Sequence, residues 1–159
     1  MNTWEMDSIT SVPKLLAAIS EFLPAARTVS FEIQNACSDA RKVYAKHHSL
    51  EKLRPSRDTI APRTQLHYCL ISRSLSEDLD AVLQSHEIKE VFWHLKGFDD
   101  RKMLFAIHDA DMGDSMFLSA HIDAKIVRAI ASDIGRKPSK LKTGYDWDED
   151  HRQKQRTKS

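Results

Sequence analysis

The chain has 159 residues, a net charge of +1, 41% hydrophobic and 30% charged residues, and only two cysteines. That length suits one domain, or one domain with a tail, and the two widely spaced cysteines exclude a disulfide framework or a paired-cysteine zinc site. Its apolar runs fall far short of a membrane span, and four glycines supply neither G-x-x-x-x-G-K nor G-x-G-x-x-G. The start, MNTWEMDSIT, lacks the basic-then-apolar order of a signal peptide, so the expected location is the cytoplasm.

In chain order, Ser11 to Leu23 carries an apolar stripe of Val12, Leu15, Leu16, Ile19, Phe22 and Leu23 at helical spacing. Ser11 or Thr10 offers the cap, and Pro24 stops the helix. Thr28 to Ile33 alternates apolar and polar residues and predicts a half-buried strand. A helix follows over 38–48, then an extended loop through Pro55 and Pro62. Gln65 to Ser72 predicts a strand with two partly apolar faces. Ser74-Leu75-Ser76-Glu77 reads as a capping box for a helix running to about Ser85.

The stretch 90–121 predicts three short strands in a meander. Val91, Trp93 and Leu95 are expected on one face, matched by Met103, Phe105 and Ile107. Gly97 to Arg101 forms the first turn and Asp109 to Asp114 the second. A last helix carries Ile122, Ile126, Val127, Ile130 and Ile134 and ends at Gly135. Residues 136–159 lose all periodicity and are expected to be a disordered charged tail.

The expected architecture is one α+β domain over 1–135, in the order α-β-α-β-α-β-β-β-α. Its mixed or antiparallel sheet has about five strands, with helices mainly on one face. A strand, a helix leading to Leu53-Arg54-Pro55, a strand entering SRSLSEDLDAVL, a meander and MFLSAHIDAKIVRAIASDIG together resemble, over residues 28–135, an uncharacterised bacterial α+β family. The resemblance implies the fold class and carries no activity, cofactor or catalytic residue.

Charge is segregated along the chain: −3 over 1–39, +5 over 40–63, −5 over 64–135 and +4 over 136–159. Arg41, Lys42, Lys46, Lys52, Arg54, Arg57 and Arg63 make a basic segment able to meet an acidic partner or phosphate. No aromatic series is interleaved for base stacking. In the tail, Tyr145 and Trp147 stand among four acids, a composition suited to folding onto a partner.

Histidines and carboxylates of the meander form the candidate metal set: His94, His108, Asp109, Asp111 and Asp114. Hairpin registers whose paired residue numbers sum to 198 or 200 decide its reach. The first puts His108 opposite Glu90, about 13 Å along the strand from His94; the second puts it opposite Phe92, about 7 Å away. Asp109-Ala-Asp-Met-Gly-Asp lacks the sixth-position glycine and closing glutamate of a calcium loop. Cys37 and Cys69 are the available thiols, His67 is a third polar-face histidine, and no G-x-S-x-G elbow occurs.

These features point first to a small cytosolic, non-catalytic module that binds another protein, in a toxin-neutralising or other accessory role, without a cofactor or a membrane. A nucleic-acid-associated accessory protein using 41–63 and the tail is the alternative. A metal-dependent hydrolase at the meander is the third reading. A monomer or a homodimer through an open sheet edge is expected.

Overall fold

The computed structural model describes residues 2–50, 59, 63–100 and 102–142. Seven strands make one sheet: β1 (Asn2–Met6), β2 (Thr28–Ile33), β3 (Gln65–Leu70), β4 (His94–Asp99), β5 (Lys102–Ile107), β6 (Met116–Ser119) and β7 (Pro138–Lys142). Their order across the sheet is β3-β2-β4-β5-β6-β1-β7, and every pairing is antiparallel. Four helices complete the chain: α1 (Val12–Phe22), α2 (Ser38–Lys46), α3 (Arg73–Leu83) and α4 (Ala124–Asp133).

The α+β class holds, but the expected count of about five strands and the expected element order are corrected. β1 and β7 are the additions, and they pair with each other. Neither announces itself locally. β1 is five residues with only Trp4 and Met6 as large inward groups, and β7 contains Pro138 and Lys140. Pairing, rather than local propensity, makes them strands. Residues 136–142 therefore continue the described fold into a region read from sequence as tail. At the β7 edge, Pro138 and Lys140 are residues that discourage pairing with another sheet.

Helix boundaries follow local chemistry. Ser11 Oγ accepts from the Lys14 N–H, and Pro13 sits in the first turn of α1. Asp123 caps α4 through the Lys125 N–H. For α3 the cap is Ser72, which accepts from the Leu75 N–H at 3.0 Å, rather than the box beginning at Ser74. A reciprocal box instead closes the 3₁₀ turn Ile88–Glu90, where Glu90 accepts from the Glu87 N–H.

Helices cover one face of the sheet. Val29, Phe31 and Ile33 of β2, Leu95 of β4, Phe105 and Ile107 of β5 and Leu118 of β6 join helix residues in one core. The stripe read from sequence in α1 supplies Leu15, Leu16 and Ile19, all fully buried. Tyr44 closes the core near α2: its hydroxyl donates to the Val91 carbonyl at 2.5 Å and its ring stacks on Phe31. Burial pushes this phenol well above its usual range.

Neither hairpin register expected from sequence forms. β4 pairs with β5 as Leu95↔Ile107 and Gly97↔Phe105, then as Phe98↔Met103 and Asp99↔Lys102. The shift leaves Leu104 as the extra residue of a β-bulge, which turns Met103 away from Phe105 despite their alternate spacing. Met103 packs with Phe98 and Ala106 in a second apolar cluster, flanked by Tyr68 and Phe117. The loop is a tight turn, with Asp100 at φ 44°, and Gly97 lies inside the strand rather than in the turn.

Candidate functional site

The face of the sheet away from the main core is polar near β2 and β4. Residues of β2 alternate, so Thr28, Ser30 and Glu32 point opposite to Val29 and Phe31. All three are buried, as are His94 and Lys96 on the neighbouring strand. Glu32 Oε1 accepts from the Thr64 hydroxyl at 2.9 Å and from the Thr59 N–H at 3.4 Å. His94 Nε2 lies 2.8 Å from Thr59 Oγ1 and 3.9 Å from Glu32 Oε2.

On its other side, His94 Nδ1 accepts from the Asp109 N–H at 2.9 Å. This fixes the tautomer: the neutral ring carries its proton on Nε2 and directs it at Thr59. A histidine that deprotonates a hydroxyl needs a free lone pair there instead. The Thr59–His94–Asp109 sequence thus resembles a nucleophile relay in distance but runs in the opposite hydrogen-bonding sense. Asp109 holds φ 48°, a left-handed conformation that aspartate tolerates better than most residues, and its carboxylate lies 3.7 Å from His94 Nδ1.

Of the metal candidates, the fold brings His94 and Asp109 together. The ring of His108 lies 6.4 Å from that of Phe117. Asp111 sits in the 3₁₀ turn Ala110–Met112, and Asp114 accepts from the Ser115 N–H. Among the described residues, no group of three or more His, Cys, Asp and Glu has the arrangement to hold a metal ion.

The basic segment divides. Lys42 and Lys46, four residues apart, share the α2 flank that meets α3. Lys42 pairs with Asp39 at 3.9 Å, and Lys46 and His47 both reach Asp78, at 2.7 and 2.6 Å. Hydrogen bonds from Lys46 and then His47 hold the Asp78 carboxyl below the usual carboxylate range. His86, bonded at 2.9 Å, does the same for Asp39.

Arg41 is exposed, and its charge acts on His67 of β3. Burial first, and that charge second, push the His67 imidazole below its usual value. His67 stacks on Tyr44 at 4.7 Å, and its Nε2 is buried without a hydrogen-bond partner. It lines a cleft of about 600 Å³ with Gln34, Asn35, Arg63, Thr64 and Gln65, where β2 ends and β3 begins. Lys52, Arg54, Arg57, Tyr145 and Trp147 lie outside the described residues.

Sequence reasoning missed Glu32, Thr59, Thr64 and the amides of this cleft. Glu32 reads as the solvent side of a half-buried strand; it is buried where Thr59, Thr64 and His94 close around its carboxylate. Both thiols are free, and the Cys69 thiol, fully buried, is pushed up to about 12 by desolvation. Among the described residues, no helix is long and apolar enough to cross a membrane.

No family model matches the chain, and no curated protein or solved structure matches it. Function therefore rests on the residues themselves.

Proposed function

We propose that the chain is a non-catalytic interaction module of the cytosol, and that another protein docks on the edge strand β3. The observation that carries this reading is an apolar row, Leu66, Tyr68 and Leu70, on the sheet face away from the helices. Leu66 and Tyr68 are half-buried, and Leu70 is 49% exposed. An apolar row on an outer strand offers a partner side-chain area, while the rim of β3 at Tyr68 and Leu70 is already hydrogen-bonded to Ser49 and His47. Arg41 and Arg63 near this end favour an acidic partner surface.

A binding role also fits the state of the reactive groups. His94 has both ring nitrogens in hydrogen bonds, and Cys69 is held as a buried thiol. Two free cysteines suit a reducing compartment. Among the described residues of the basic segment, Arg41 and Arg63 carry the nucleic-acid reading, since Lys42 and Lys46 are drawn into pairs with acids.

The test is a pull-down from the native host with the full chain, with Leu70→Glu and with Arg41→Glu/Arg63→Glu, each with and without nuclease. A protein captured by the wild type after nuclease, and lost with Leu70→Glu, supports docking on β3. Capture that Leu70→Glu leaves intact overturns it. Capture abolished by nuclease moves the assignment to nucleic acid.

A further inference from the structure

Three described cavities open on this molecule, and they differ in charge. The groove between α2 and α3 balances Lys42 and Lys46 against Asp39 and Asp78. The cavity beside α4 sets Lys102 against Asp99 and Asp123. The cleft at the β2–β3 end has Arg63 and, among its described lining residues, no acid. Glu32 is nearby in the chain but buried, where it accepts from Thr64. Arg41 adds a second positive charge close enough to act on His67.

Apart from Leu66, the remaining described lining is built to hydrogen-bond. Gln34, Asn35 and Gln65 each present an amide that both donates and accepts. His67 contributes a buried Nε2 that no group satisfies, although burying a polar atom alone costs about 1–3 kcal/mol. Its ring is held in place by stacking on the buried Tyr44. A volume of about 600 Å³ falls within the range of small-molecule sites and is too small for a folded partner.

We propose that this cleft binds a small organic anion, whose carboxylate or phosphate oxygens accept from Arg63 and His67 while the three amides read the body of the molecule. In this arrangement the anion gives the His67 Nε2 proton an acceptor and gives Arg63 a partner that a planar guanidinium can grip through two oxygens. The cleft borders the proposed docking row at Leu66, but anion binding does not require docking on β3 and is tested without a partner.

The experiment is an NMR titration of the full-length ¹⁵N-labelled chain with citrate and, separately, with inorganic phosphate, at constant ionic strength set by chloride. Saturable shifts centred on Gln34, Asn35, Gln65 and His67, weakened at least about tenfold in Arg63→Gln, are expected (about 1.4 kcal/mol). A response to citrate alone assigns a carboxylate ligand, and one to phosphate alone a phosphate ligand. Arg63 is exposed, so its substitution leaves the fold intact, and resonances away from the cleft report this. His67→Gln serves as the second variant. Shifts that fail to saturate, scatter over all basic residues, or persist unchanged in both variants overturn the site.

Discussion

The Phe105 ring lies across the ladder on Gly97, filling the space a side chain would take. The two are direct partners between β4 and β5, and a Cβ added at Gly97 would overlap the ring. Both residues are buried in the middle of the sheet, so the ring has nowhere to retreat. Gly97→Ala is expected to destabilise the chain by about 2–3 kcal/mol through overpacking. Urea unfolding measures this, and Phe105→Leu in the same chain should recover part of the loss. A Gly97→Ala chain as stable as wild type would contradict the packing.

Glu32 holds the polar face together as an acceptor. Glu32→Ala removes a carboxylate acceptor from the buried Thr64 hydroxyl and from beside His94, at a cost of about 2–3 kcal/mol. Glu32→Gln keeps an acceptor for Thr64 and should cost about half as much. The ordering Ala worse than Gln, read from urea midpoints, is the outcome that checks the network.

The α2–α3 pair gives a pH dependence of definite sign. The Asp78 carboxyl is held below its ordinary value of 3.8, so the native state binds a proton less readily than the unfolded chain. Its stabilisation is complete above that value and is lost as pH falls through the lower, native one. Asp78 keeps 30% of its side chain exposed, so solvent screening limits the contribution to about 0.5 kcal/mol. Asp78→Asn should lower the midpoint near neutral pH, and the gap to wild type should close by about pH 2–3. A gap that stays constant through this range would place the effect elsewhere.

The two cysteines should separate by reactivity. Cys69 is fully buried with a thiol pushed up to about 12, while Cys37 is partly exposed at the start of α2. A thiol-specific disulfide reagent at neutral pH should label Cys37 in the native chain and Cys69 only on unfolding. Cys37→Ser should abolish native labelling; rapid native labelling of that variant would refute the burial of Cys69.

Features set within one turn of chain were legible in the sequence. The α1 stripe and the cap at Ser11, one of its two candidates, depend on residues three or four apart, and both form. What escaped depends on distant neighbours. Nothing local marks Leu104 as a bulge, so sequence spacing groups Met103 with Phe105 although the two face opposite ways. Lys42 and Arg41 are adjacent basic residues in sequence, yet Lys42 pairs with Asp39 while the charge of Arg41 acts on His67. The cleft joins the end of β2 to the start of β3, and only the β2–β3 register brings Gln34 and Gln65 to one place.

The placement of β1 between β6 and β7 has a consequence for synthesis. Thr3 pairs with Ser119, and Asn2 pairs with Lys142. β1 therefore waits for β6 and β7, which lie far later in the chain, before its backbone is paired on either side. Trp4 and Met6, both buried in the folded domain, stay open to solvent and to stray contacts until those two strands are made. So long a wait makes sheet completion a late and slow event, and leaves β1 exposed to the stray contacts that chaperones suppress.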